Sequence, residues 1–568
     1  MKLKKTTAVA VLVSFLLIQS QAFADVPAGT DAGSENKKFT EEFSQNPPAP
    51  SAEKKEQPVE KPEAPAPQGN GARFRMNSIR IVGNEAISTD ELNKIVSQLL
   101  NRDVNIEEIQ EVITEIKKHY RSKGYVATYV SVPPQRIQEG VVELRVVEGK
   151  LGKIEITGNK WFSTKILNNK IQIEPGVVIK YDDLQSSLAR LNENKDVRAK
   201  AVLKPGATPE TTDIQIQVND KLPVHLTGDV NNLGTDNTGK TRWGIQAVDT
   251  NLLGRMDQLS ARVQLGRQAF SVGADYYMPL NSYDTRLGFS YQRSSVKVGG
   301  PFRALDIKGH ASTYSPYLSQ PIFDNKNWKV GARTSLDIKE IENEVLGQVS
   351  SKDRLRVWDL SLNIEETDKW GKSFFPQSFD FGFADFMGSS PKGNENAART
   401  NTGGQYFIQR GSYIRYTRLP KNMMLALRSS VQMTPDRLPS AEQFRIGGAY
   451  TVRGYPEGDF VSDYGGTLST EMYIPSYIFP KDWKLPFSKE PLRQQVQATT
   501  FFDFGAGANR HPTPGEHNNR TLAGFGAGVR VHLFDKVYAR AEWAKPVANN
   551  PSNDDQSAFY YGVSVEFM

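Results

Sequence analysis

The sequence predicts a mainly β protein, a sixteen-stranded transmembrane β-barrel preceded by two small α+β domains. Three observations predict it. From Val224 to Met568 the chain is a succession of alternating runs without helical periodicity. Ahead of them a strand motif recurs at an offset of 75 residues. The chain opens with an export-signal pattern, yet no later stretch reaches the roughly eighteen apolar residues of a membrane-spanning helix.

The elements follow in order. Lysines at positions 2, 4 and 5, the apolar run Ala8 to Ile18 and Ala22-Phe23-Ala24 form the n-region, h-region and cleavage site of a signal peptide over 1–24. Residues 25–45 hold a candidate helix, Glu35 to Gln45, with Phe39 and Phe43 four residues apart. A disordered tail is the alternative for this stretch. Residues 46–72 carry seven prolines among Glu, Lys and Ala (Pro47, Pro48, Pro50, Pro58, Pro62, Pro65 and Pro67), the composition of an extended linker.

Ile79-Arg80-Ile81-Val82-Gly83-Asn84 then recurs as Ile154-Glu155-Ile156-Thr157-Gly158-Asn159. Each copy starts with a strand and a Gly-Asn turn, and a Ser-Thr pair opens the helix that follows. In the first copy Ile106, Ile109, Val112, Ile113 and Ile116 have helical spacing, and Gly124 ends that helix. Strands are expected at Tyr125 to Val132 and Val141 to Val147. The second copy gives a helix near Tyr181 to Asn192 and strands at Val197 to Leu203 and Asp213 to Val218. The two βααββ domains span 73–149 and 150–221, and their sheet edges are open to an added strand.

The remainder, 222–568, divides into sixteen runs starting near 224, 241, 256, 268, 283, 304, 327, 353, 378, 405, 422, 464, 494, 520, 536 and 558. Each is long enough to cross the hydrocarbon as a tilted strand, and an even number lets an antiparallel sheet close without an edge in lipid. Mean hydropathy is −0.50. That suits a barrel, in which every second residue faces water.

Residues 434–463 interrupt the pattern. Pro435, Pro439, Gly447, Gly448, Gly454, Pro456 and Gly458 make the segment a loop. Phe444, Ile446, Tyr450, Val452 and Tyr455 make it too apolar to be idle. Alternation directs Phe501, Asp503, Gly505 and Gly507 to the lumen, with Phe502 and Phe504 outward. It likewise directs Gly524, Gly526 and Gly528 inward, and Thr467, Ser469 and Glu471 inward. Strand glycines mark close approach of another backbone. The loop is therefore expected to fold into the lumen against this glycine wall. Arg453 then needs a carboxylate, Asp503 by first choice and Glu471 by second.

Several chemistries find no support. With 70 basic and 64 acidic residues the net charge of +6 is too mild to imply nucleic acid. Gly234-Thr235-Asp236-Asn237-Thr238-Gly239-Lys240-Thr241 spells a phosphate-loop pattern, but the alternating run Trp243 to Val248 follows where a helix would be required, so no nucleotide is expected. The absence of cysteine excludes disulfides and thiolate metal sites. Six scattered histidines offer no metal spacing, and no catalytic motif occurs; no enzyme, metal or cofactor is expected.

Val452-Arg453-Gly454-Tyr455 resembles the VRGY signature of the two-partner secretion transporters (TpsB family), within the superfamily that includes the BamA-type assembly proteins. Phe502-Asp503-Phe504-Gly505 is similar to the barrel motif carrying the aspartate partner of that arginine. Gly124-Tyr125, Pro133-Pro134-Gln135 and Val146-Val147-Glu148-Gly149 resemble the end of a first POTRA domain. The resemblance covers nearly the whole mature chain. It implies an outer-membrane transporter whose two periplasmic POTRA domains capture a large unfolded TpsA-like exoprotein, through its N-terminal secretion domain, and whose barrel conducts it to the surface. It implies that an N-terminal helix can plug the pore. It also implies contact with outer-membrane lipid and insertion by the barrel-assembly machinery; family members usually end in an aromatic residue, and here Phe567 precedes Met568. The alternative is a BamA-type assembly factor, which carries more POTRA domains. A passive solute channel would have no use for any.

Overall fold

The computed structural model describes residues 31–44 and 73–568 apart from Lys326, Phe487 and Lys489. The expected signal peptide and proline-rich linker lie outside the described residues. The described chain forms two compact units: one spans 73–223 with 253–256, the other 31–44, 224–252 and 257–568.

The first unit holds two modules. In the first, β2 (Ser78–Val82) runs parallel to the central β5 (Val141–Glu148), and β4 (Thr128–Ser131) lies antiparallel on its other side. Helices α2 (Thr89–Val96) and α3 (Ile106–Ser122) cover the sheet. Ser88 caps α2 by accepting from the Glu91 amide. Asn105 and Glu108 form a reciprocal capping box on α3. Of the expected stripe on α3, Ile109, Val112, Ile113 and Ile116 are buried in the module's core with Leu144 and Val146, whereas Ile106 in the first turn is exposed. A short pair, β1 (Phe74–Met76) with β3 (Arg102–Val104), adds to the expected βααββ order. Gln135 clamps the Glu143 backbone on both sides, which holds the Pro133-Pro134 turn against β5.

The second module repeats the plan with β6 (Lys150–Thr157), α4 (Thr164–Asn169), α5 (Tyr181–Asn192), β7 (Val197–Pro205) and β8 (Thr211–Asp220), in sheet order β6-β8-β7. The repeated Gly-Asn turns have the same cause in both copies. Gly83 and Gly158 have positive φ, and a Cβ on either would collide with a carbonyl of the central strand, Val146 or Val218.

The second unit is a closed sixteen-stranded antiparallel barrel. Its first half is β9 (Val224–Asn231), β10 (Arg242–Asp249), β11 (Gln258–Gly266), β12 (Ala269–Pro279), β13 (Arg286–Lys297), β14 (Lys308–Asp324), β15 (Trp328–Val345) and β16 (Gln348–Thr367). The second half is β17 (Gly371–Gly382), β18 (Tyr406–Arg418), β19 (Met424–Met433), β22 (Tyr464–Pro475), β23 (Val496–Ala508), β24 (Asn519–Leu533), β25 (Val537–Ala548) and β26 (Ala558–Glu566). Between β19 and β22 a short hairpin, β20 (Phe444–Ile446) with β21 (Phe460–Ser462), forms its own two-stranded sheet. β26 closes on β9 through five paired positions, Gly562–Glu566 against Asn231–Thr227.

All sixteen expected runs are barrel strands. Two start well before their expected positions. β16 begins at Gln348 because its charged stretch Lys352-Asp353-Arg354 belongs to the strand and pairs with β15. β17 begins at Gly371 although it contains Pro376; its ladder to β18 breaks off after Phe374 and resumes at Gln377, which accommodates the missing amide. The phosphate-loop lookalike 234–241 belongs to the β9–β10 connection, with no helix after it.

Candidate functional site

The loop 434–463 folds into the barrel and packs on the inner faces of β22 to β26. Its apolar residues form a buried cluster of Ile446, Val452, Tyr455 and Phe460 with Leu522 of β24. Gly447 donates to the Thr451 hydroxyl at 2.9 Å and Gly448 to the Val452 carbonyl at 3.1 Å, which curls the tip back on itself. Gly454 sits at φ +102, a conformation that favours glycine, and a Cβ there would meet the Pro546 nitrogen of β25 at 2.9 Å.

Arg453 is 4 % exposed and enters the wall side-on. Its Nε donates to Asp503 Oδ2 at 2.7 Å and its Nη2 to Asp503 Oδ1 at 2.9 Å. Its backbone amide donates to the same carboxylate at 3.1 Å. This is the bidentate geometry in which a guanidinium binds most strongly. Glu471 and Glu542 lie 3.4 and 3.3 Å from Nη1. The guanidinium stacks 3.3 Å above the Phe501 ring. Burial alone discourages its charge, but Asp503, Glu471 and Glu542 outweigh that and raise its pKa above the ordinary arginine value.

A second rank of charge supports the first. Arg428 binds Glu471 at 2.9 Å, and Arg530 binds Glu471 at 2.8 Å and Glu542 at 3.0 Å. Both arginines donate to the Tyr473 hydroxyl. Three buried carboxylates thus face three guanidiniums, the balance a low-dielectric site requires.

The glycines divide into two roles. A Cβ on Gly524 would overlap the Arg453 carbonyl oxygen. One on Gly505 would press Ile446 and Val452 at 2.6 and 2.8 Å, and one on Gly507 would strike Ser462. These three receive the loop. Around Gly526 and Gly528 the nearest atoms belong to the wall instead. Gly526 makes room for the Phe501 ring beneath Arg453, and Gly528 for Glu542, so they serve the clamp from the side. Tyr455 is buried, and its hydroxyl lies within hydrogen-bond reach of the Ala523, Ala548 and Asn549 carbonyls, which share its single proton.

Sequence reasoning missed Glu542 and Tyr560. The Tyr560 hydroxyl accepts from the Gly454 amide and donates to the Tyr455 carbonyl, both at 3.0 Å. The signal for Glu542 was available, since alternation beside the exposed Trp543 turns it inward.

The helix α1 (Ala32–Ser44) lies against the inner wall of β12 to β15, starting three residues earlier than expected. Phe39 fills the space above Gly273, and Asn36 bonds Thr313 at 2.9 Å and Ser294 at 3.2 Å. The lumenal loop holds its other side. Lys37 donates to the Gln443 carbonyl at 2.8 Å, Lys38 pairs with Glu457 at 3.2 Å, and Arg445 donates to the Ser34 carbonyl at 2.7 Å. Glu442, beside Lys37, binds Lys339 and Arg410 of the wall. Burial opposes its charge, but Lys339, Arg410 and Lys37 overcome that and hold its pKa down at about 2. At its root the loop is tied by Asp463, which accepts from Arg399 and the Leu438 amide.

Residues 210–531 match the family of haemolysin secretion/activation proteins ShlB/FhaC/HecB, and residues 74–149 match the ShlB-type POTRA domain. The chain is 24 % identical over 574 residues to the heme/hemopexin transporter protein HuxB of Haemophilus influenzae, covering 98 % of both chains. It is 23 % identical over 514 residues to the outer membrane transporter CdiB of Escherichia coli O6:K15:H31, covering 88 % of this chain and 83 % of the other. Among solved structures, CdiB from Escherichia coli superposes with a TM-score of 0.67 at 20 % identity, covering 89 % of this chain and 93 % of that one. BamA from Haemophilus ducreyi lacking POTRA domains 1–3 superposes with a TM-score of 0.55 at 14 % identity, covering 87 % and 100 %.

Proposed function

The chain belongs to the haemolysin secretion/activation family of ShlB, FhaC and HecB, and from that premise we propose that its export activity depends on Arg453 fastening the lumenal loop to Asp503. Members of this family are transporters. This one is an outer-membrane transporter of two-partner secretion, with its POTRA domains in the periplasm, and it exports a separate secreted TpsA-type protein. The assembly-factor alternative rests on shared barrel architecture, whereas the family match and the full-length relatives favour secretion.

In the proposed mechanism the N-terminal secretion domain of the partner arrives unfolded and adds a strand to a POTRA sheet edge, where backbone hydrogen bonds accept varied sequence. The chain then passes through the lumen beside the clamped loop. α1 is the resting plug, since it occupies the same lumen and is held by both wall and loop. Folding of the partner outside supplies the direction of transport. The barrel itself is inserted by the barrel-assembly machinery and faces lipid with its aromatic outer surface.

The observation that carries this reading is the buried bidentate contact of Arg453 with Asp503, which joins loop and wall. Exchanging the two charges, Arg453→Asp with Asp503→Arg, tests it. Partial return of secretion relative to either single change is expected; equal loss in all three variants would refute the pairing as the functional contact.

A further inference from the structure

β9 follows the periplasmic domains directly, so strand alternation places the β22–β23 connection, residues 476–495, on the periplasmic rim. The other six turns on that rim have three to eight residues, whereas this one has twenty. It is ordered. The Tyr477 hydroxyl donates to the Lys421 carbonyl at 2.7 Å, and Arg493 stacks 4.0 Å over the Tyr477 ring. Phe479 packs on Trp483 at 5.6 Å, and the Leu492 amide donates to the Trp483 carbonyl at 2.8 Å.

This turn nonetheless leaves apolar side chains exposed. Ile478 is 91 % exposed, Trp483 52 % and Tyr477 43 %. Lys481 and Lys484 stand beside them, also exposed. A loop held by these contacts gains nothing from keeping an isoleucine and a tryptophan in water. Tryptophan and tyrosine with flanking lysines is the chemistry of a bilayer interface, where the rings sit at headgroup depth and the ammonium groups reach phosphate. The turn also closes one end of two membrane-spanning strands. It joins the strands whose outward residues include Leu468, Phe502 and Phe504.

We propose that residues 476–486 form a membrane anchor at the periplasmic leaflet. Ile478 and Trp483 insert at the acyl–headgroup boundary, and Lys481 and Lys484 bind the phosphates of anionic phospholipid. The anchor stands at the foot of the two strands that carry Glu471 and Asp503.

The chain has no cysteine, so Ile478→Cys places one environment-sensitive fluorophore on the turn, at a position too exposed to affect folding. The full-length protein is reconstituted into vesicles of phosphatidylethanolamine and phosphatidylglycerol containing nitroxide-labelled lipid. A second variant, Thr513→Cys on the opposite rim, reports any general effect of reconstitution. The 478 probe is expected to be blue-shifted and quenched severalfold by nitroxide near the headgroup. The quenching should weaken when Lys481→Gln and Lys484→Gln are added or when phosphatidylglycerol is omitted. A probe equally unquenched at 478 and 513 overturns the proposal. So does a probe that shifts only when the secretion domain of the partner is added, since the surface would then belong to the exported chain.

Discussion

Arg453→Ala removes one guanidinium from a site where three of them balance Asp503, Glu471 and Glu542, all fully buried. Arg428 and Arg530 continue to serve Glu471 and Glu542, so the loss falls on Asp503, whose described ion pair is with Arg453 alone. Breaking a buried pair by deleting one partner costs about 3–5 kcal/mol, because the remaining charge is buried without compensation. The cost falls on docking of the loop, not on the barrel ladder, and lowers the docked-to-free ratio by a factor of roughly 10² to 10⁴. The barrel should therefore stay in the membrane, with unchanged heat-modifiable mobility in gels, while secretion of the partner stops. Loop position is read directly in a Val452→Cys background. That side chain is fully buried when the loop is docked and should be shielded from a maleimide, then become labelled once Arg453→Ala is added. Adding Asp503→Ala as well should recover part of the shielding, since removing both charges leaves no buried charge unpaired. Normal secretion and an unlabelled Val452→Cys in the single Arg453→Ala variant would refute the reasoning.

Gly524→Ala should act like Arg453→Ala, because the new Cβ meets the Arg453 backbone carbonyl, which cannot rotate away. Gly331→Ala is its control: its nearest neighbour would be the Gln320 carbonyl at 3.7 Å, and secretion should be unchanged. Phe39→Asp places a carboxylate against the wall at Gly273 and should dislodge α1, raising conductance of the barrel in planar bilayers. Plug occupancy should also depend on pH. Burial first, then the nearby charge of Arg410, pull the Lys37 pKa from 10.5 down to about 7. Between those values the docked helix binds fewer protons than the free one, so docking strengthens as pH rises through that window. Conductance should fall between pH 7 and 9, and Lys37→Met should flatten the change.

Much of the fold was legible because strand alternation is a local property. Each pleat turns successive side chains to opposite faces, so the inward direction of Asp503, Glu471 and the five glycines followed from their own strands. The charged stretch at Lys352 to Arg354 and Pro376 blurred the starts of β16 and β17, since ladder hydrogen bonds with neighbouring strands compensate there for a weak local pattern. The first module's extra β1–β3 pair escaped notice because three-residue strands carry almost no periodicity.

Sequence by itself determined the kind of wall, the side each residue faces and the need of Arg453 for a carboxylate, all consequences of local geometry and of the cost of an unpaired charge. Only the tertiary structure decided which inward residues meet the tip of the loop. Glu542 and Tyr560 lie 89 and 106 residues from their partners in the loop. The accumulated stagger of the closed sheet brings them to the same depth. Stagger is a property of all sixteen strands together, and for that reason the partners from β25 and β26 could not be read from any one of them.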